Sequence, residues 1–143
     1  MTGAEGTGSG SALAGPRFLP SAAVPGISDA VLVPSGSGLA FVSGQIAPAA
    51  RSASFAEELD ECFRGLDAVL ARASLTPAAL ARLTLFVVDL PSRDLETIRA
   101  GRDRWVDTAT PPASALIGVS ALALPGLRSE VEAVAILPPA PAA

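Results

Sequence analysis

The segment Leu83-Thr84-Leu85-Phe86-Val87-Val88 is apolar at nearly every position, and Ser114–Val119 repeats the pattern. Runs without polar alternation suit strands buried on both faces rather than strands with one wet side. The segment Ser54–Ala73 has a different period. Phe55, Leu59, Cys62, Phe63, Leu66, Val69 and Leu70 recur there at three- and four-residue spacing, the mark of an amphipathic helix. Ser54 predicts its N-cap, and Glu57 three positions later completes a capping box. Acids crowd its first half and Arg72 stands near its end, as the helix dipole favours.

The remaining elements follow from the same periods. Ala30–Val33 and Leu39–Ile46 are short apolar runs joined by Pro34-Ser35-Gly36-Ser37-Gly38, which predicts a β-hairpin. Pro77–Arg82 reads as a short helical turn. A second helix is expected over about Ser92–Asp107, with Leu95, Ile98 and Trp105 inward and Pro111-Pro112 as its stop. Ser129–Ile136 is the last strand. The order ββαβαββ implies an α+β layer with both helices on one sheet face. Copies of the same chain are the simplest cover for the other face, so an oligomer is expected. Residues 1–24, rich in Gly, Ser and Ala, read as a flexible N-terminal extension, and 25–143 as a single domain.

Composition removes whole classes of chemistry. The chain has no His, Lys, Tyr or Asn, and all ten of its basic residues are Arg. A Ser-His-Asp or Cys-His nucleophile, a lysine Schiff base and a His-ligated metal are excluded within it. The net charge of −4 speaks against a nucleic-acid partner. The single Cys62 falls on the apolar face of the first helix and reads as a small buried hydrophobe. The first fifteen residues do not resemble a secretory signal. The longest uncharged apolar stretch, Pro112 to Leu127, is too short for a membrane span. A cytoplasmic protein is expected, with no membrane partner.

Two places are left where carboxylates and backbone carry chemistry. Ser43-Gly44-Gln45-Ile46 ends a strand, and Gly44 there marks either a bulge or a ligand's approach to the backbone. In the last strand Arg128, Glu130 and Glu132 share one face by two-residue alternation, with Val131, Ala133 and Ala135 on the other. That polar face is either solvated and ion-paired, or it holds a carboxylate near a subunit boundary, raised in pKa and used on a water molecule.

Phe41-Val42-Ser43-Gly44-Gln45-Ile46, the helix after it, Leu83–Asp89, Pro112-Ala113-Ser114 and Glu130-Val131-Glu132-Ala133-Val134-Ala135 together resemble the Rid family, also called YjgF-like. These are reactive-intermediate deaminases, also known as the endoribonuclease L-PSP family. The resemblance runs from about Pro25 to Pro138. It implies a chorismate-mutase-like domain that assembles as a homotrimer around a sheet barrel, with sites in clefts between subunits. It implies hydrolysis of 2-enamine or 2-imine intermediates to 2-keto acids and ammonia, with no metal and no cofactor. The family's carboxylate-binding arginine follows a Pro-Ala pair; here that position is Ser114. The family's site tyrosine corresponds to Ile27 of Pro25-Gly26-Ile27-Ser28. A frequent asparagine corresponds to Arg99, and a frequent cysteine to Leu116. Ser43, the Gly44 backbone and Glu130 remain.

These departures leave two functions open. One is an enzyme acting on a small reactive imine, enamine or keto intermediate, by hydrolytic deamination or a specialised tautomerisation or cyclisation. Glu130 would act on water and Ser43-Gly44 would hold an oxygen, with Arg99 or Arg128 supplying the charge that Ser114 lacks. The other is a trimer that binds or regulates through a small-molecule ligand without catalysis. A pocket lined by Ile27, Ser114 and Leu116 favours a more apolar ligand in either case.

Overall fold

The computed structural model describes residues 12–141. Six strands form one mixed sheet: β1 (Arg17–Pro20), β2 (Ser28–Leu32), β3 (Leu39–Gln45), β4 (Leu80–Val88), β5 (Ala113–Val119) and β6 (Ser129–Ile136). Two helices, α1 (Phe55–Arg72) and α2 (Leu95–Asp103), complete the domain. The spatial strand order is β1-β2-β5-β4-β6-β3. β4 and β5 run parallel, as the crossover through α2 requires. β6 is antiparallel to both of its neighbours, β4 and β3.

Helix α1 starts as its sequence dictates. The Ser54 hydroxyl accepts from the Glu57 amide at 3.2 Å, and the Glu57 carboxylate accepts from the Ser54 amide at 2.8 Å. It stops on Ser74, whose φ of 57° reverses the chain. The Ser74 amide then donates to Ala71 O and the Leu75 amide to Leu70 O, which satisfies the last turn and returns Leu75 to the core.

Both helices pack on one face of the sheet. Leu59, Cys62, Phe63, Leu66 and Leu70 of α1 and Ile98 of α2 share one core with Val42, Leu83, Leu85, Val87, Val131, Ala133 and Ala135. Strand alternation therefore sends Arg82, Thr84, Phe86, Glu130, Glu132 and Val134 to the opposite, open face. Phe41, the register partner of Val134, is 78% exposed there.

Several expectations need correction. The order is βββαβαββ: Arg17–Pro20, assigned above to the N-terminal extension, pairs antiparallel with β2. The rest of that extension up to residue 11 lies outside the described residues. The predicted hairpin does not form. β2 pairs with β1 and β5, β3 pairs with β6, and the Pro34–Gly38 turn carries the chain between opposite halves of the sheet. A glycine-rich turn permits a hairpin but does not select a partner. The helical turn after Pro77 lasts only to Ala79, and β4 begins at Leu80. α2 is shorter than expected because it ends at Asp103, well before Pro111, and Leu95 is exposed rather than inward.

Candidate functional site

β3 and β6 pair regularly up to Val42↔Ala133 and resume at Gln45↔Val131. Ser43 and Gly44 together therefore oppose the single residue Glu132, which makes a β-bulge. The Gln45 side chain fixes its shape. The Gln45 amide nitrogen donates to the Ser43 carbonyl at 2.9 Å. Gly65 of α1 makes room for it, since a Cβ there would meet Gln45 Oε1 at 3.2 Å.

The reason for glycine at 44 is steric. A Cβ on Gly44 would lie 1.7 Å from Glu130 Oε1 and 2.6 Å from its carboxyl carbon. The missing side chain is the space in which the Glu130 carboxylate sits. Ser43 is exposed and Glu130 is half-buried on the same open face. Among the described residues neither Glu130 nor Glu132 has an ion-pair partner.

A second cluster forms on the helix side. Ile27, Arg99, Ser114 and Leu116 line one pocket of about 190 Å³ with Leu85, Ile98 and Arg102. The register explains why: Ser114 and Leu116 pair with Leu83 and Leu85, whose side chains point at the helices. Glu130, by contrast, is in register with Phe86 and, across β4, with Ile117 of the open face. Within one chain the candidate residues thus fall into two groups on opposite faces, with Glu130, Ser43 and Gly44 in one and Ile27, Arg99, Ser114 and Leu116 in the other.

Arg128 joins neither group, so its expected place beside Glu130 is corrected. It precedes β6, and its Nε donates to Glu58 at 2.7 Å while its Nη2 donates to Ala53 O at 2.8 Å. Glu58 is fully buried and also accepts the backbone amides of Arg128 at 2.6 Å and Ser129 at 3.0 Å. This clamp fixes the chain immediately before Glu130. Glu58 was missed although it stands three residues after Phe55 and four before Cys62, on the apolar face of α1, unlike Glu57. Arg102 was also missed. It is 7% exposed and follows Ile98 on the inner face of α2.

Cys62 is fully buried beside Ser129, its sulfur 3.5 Å from the Ser129 carbonyl and hydroxyl oxygens. Burial pushes the Cys62 thiol up from its usual 9.0 to about 11. It is a packed thiol, not a nucleophile. Among the described residues no cluster of His, Cys, Asp or Glu is arranged to hold a metal ion. No helix there is long and apolar enough to cross a membrane.

The bulge before α1 and the paired acids on β6 belong to a known class of α+β domain, and comparison with known proteins places it. The chain belongs to the endoribonuclease L-PSP family, the Rid or YjgF family, whose model matches residues 23–137. The Rid-family protein YyfB of unknown function from Yersinia pestis is 33% identical, with a TM-score of 0.73, over 85% of this chain and 98% of that one. A YjgF-family protein from Neisseria meningitidis is 25% identical, with a TM-score of 0.64, over 87% and 97%. Another from Mycobacterium tuberculosis, 24% identical with a TM-score of 0.62 over 85% and 99%, shares the fold. No curated protein matches the chain.

Proposed function

We propose that this protein is a Rid-type enzyme that hydrolyses a small imine, or its enamine tautomer, to a ketone and ammonia without a cofactor. The observation that carries this reading is the Glu130 carboxylate seated over Gly44 with no ion-pair partner among the described residues. A carboxylate so placed is a general base for water. Water oxygen attacks the carbon of the protonated imine and gives a proton to Glu130, leaving a neutral carbinolamine. Glu130 returns that proton to the amine nitrogen, the C–N bond breaks as ammonia departs, and the hydroxyl proton passes back to Glu130 and on to solvent as the C=O bond forms. The Ser43-Gly44 backbone, distorted by the bulge, offers an amide to the developing oxygen.

The separation of the two residue groups fits an assembly in which a cleft joins one group to its counterpart on a neighbouring chain. Phe41, Leu39 and Ile117 are exposed on the open face or its edge and supply the apolar surface that a threefold sheet-to-sheet contact would hide. Light scattering is expected to give a mass about three times 14.3 kDa. A monomer mass overturns the cleft. The direct activity test is ammonia release from aminoacrylate generated in situ by a dehydratase, and a rate equal to buffer alone rejects the deaminase reading for that substrate.

Ser114 and Ile27, standing where the family carries arginine and tyrosine, favour a second reading. In it the trimer binds a small ligand and does no chemistry. Ser114→Arg separates the two: deaminase activity gained on that substitution means the scaffold is competent and lacked only the anchor.

A further inference from the structure

The pocket beneath α2 has a distinctive composition. Its walls are aliphatic, from Val24, Ile27, Leu85, Leu95, Ile98 and Leu116. Its polar lining is Ser114 and two guanidinium groups, Arg99 and Arg102, and no acid lines it. Arg99 and Arg102 stand three residues apart on one helix and so share a face.

The two arginines are held differently. Arg102 is nine-tenths buried. Its Nε donates to Asp103 at 2.8 Å and its Nη2 to the Pro25 carbonyl at 3.0 Å. Gly26, at φ +77°, closes the turn over this pair, and a Cβ there would sit 2.6 Å from Arg102 Nη2. Arg102 is thus preorganised, with its orientation set by the segment that also carries Ile27. Arg99 lies nearer the mouth, with its side chain 44% exposed and its Nη1 on Glu96 at 2.7 Å. Each fork keeps N–H groups that these contacts do not use.

Arg102 is already ion-paired with Asp103 through Nε and Nη2, so what it offers a ligand is its remaining N–H groups within apolar walls, where a charge-assisted hydrogen bond is stronger than at the surface. Resting on the enzymatic reading above, we propose that Arg102 and Arg99 of α2 form the carboxylate anchor of this protein, in place of a guanidinium on β5. The aliphatic walls take the body of the same ligand. The volume of about 190 Å³ is below the roughly 300–1,000 Å³ of drug-sized sites, so that body is small and aliphatic. The ligand class is a small aliphatic carboxylate, which branched and unbranched keto acids probe.

The test is calorimetric titration of the full-length protein with 4-methyl-2-oxopentanoate, 4-methylpentanoate, 4-methylpentanamide and pyruvate. Both branched acids are expected to bind about tenfold or more tightly than the neutral amide, and than pyruvate, which lacks the branched body. Arg99→Gln is expected to weaken acid binding about tenfold with an unchanged melting temperature, because its ion pair with Glu96 is an exposed one. Ser114→Asp, which puts a negative charge in the pocket, is expected to weaken the acids and spare the amide. These two variants avoid disturbing the Arg102 contacts that hold the Pro25 turn. Equal affinity of acid and amide, no binding of the branched acids at millimolar concentration, or acid affinity unmoved by both variants overturns the anchor. Glu130→Gln keeps the two readings apart. Turnover lost with charge-independent binding rejects the anchor alone, whereas charge-dependent binding with turnover unaffected by Glu130→Gln rejects the catalytic role alone.

Discussion

Two carboxylates flank the start of β6, one on each side of the sheet. Glu58 lies on the helix side, fully buried, and accepts two backbone amides and the Arg128 guanidinium. Glu130 lies on the open side against Gly44, with no ion pair among the described residues. The same functional group does opposite work. Burial with complete pairing makes Glu58 a fastener, since its charge is consumed by the backbone it holds. Partial burial without pairing leaves the lone pairs of Glu130 open, which is what the proposed role as a base requires, at a position the fastener has fixed one residue earlier.

Substitutions can break this contrast from either side. Glu58→Ala leaves Arg128 and two amides without their acceptor. It is expected to cost about 3 kcal/mol, and a thermal melt should fall by roughly 6–12 °C. Glu58→Gln should recover part of that loss. Glu130→Gln should behave in the opposite way: a melting temperature within about 2 °C of the parent, with hydrolysis reduced by about a hundredfold or more. A large loss of stability in Glu130→Gln erases the distinction.

Cys62, between α1 and Ser129, sharpens the contrast through pH. Its thiol is held neutral by burial, with its pKa raised from 9.0 to about 11. The stability this contributes is complete below pH 9 and is lost as pH rises through about 11, on the order of 2 kcal/mol in all. The chain has no Lys or Tyr, so no other side chain titrates in that window. Melts between pH 8 and 11.5 should show the decline, and Cys62→Ser should flatten it. The smallest effect is expected for Gly44→Ala. The new methyl must displace the end of a flexible side chain, so the fold tolerates it, but the Glu130 carboxylate has to swing away. Activity should drop about tenfold with little change in melting temperature.

Much of this arrangement was legible in the sequence, and what was not has a common cause. α1, β5 and β6 fall where local periodicity placed them, because one buried face imposes its period on the residues that form it. Partner choice is not local. The two runs around Pro34–Gly38 look alike whether they pair with each other or, as here, with β5 and β6. β1 escaped notice because a four-residue edge strand needs only one partner and little apolar surface. Glu58 and Arg102 were hidden because charged residues read as solvent-facing. The available signal was position: Ile98 and Arg102 lie four apart on the inner face of a helix. Gly44 was ambiguous between a bulge and a ligand approach, and the structure shows the bulge is what makes the approach of Glu130 possible.

The pairing of β3 with β6 also has a kinetic consequence. β3 comes early in the domain and β6 at its end, and among the described residues β6 is the only strand that β3 pairs with. Closing so long a loop is entropically costly and contributes nothing until the ladder forms. A refolding chain will therefore gain the α1 signal and the β4–β5 crossover unit while the bulge is still unmade. During that interval β3 is an unpaired edge, open to strands from other chains. Closure of the β3–β6 ladder, rather than return of helix, is expected to mark the end of folding in this protein.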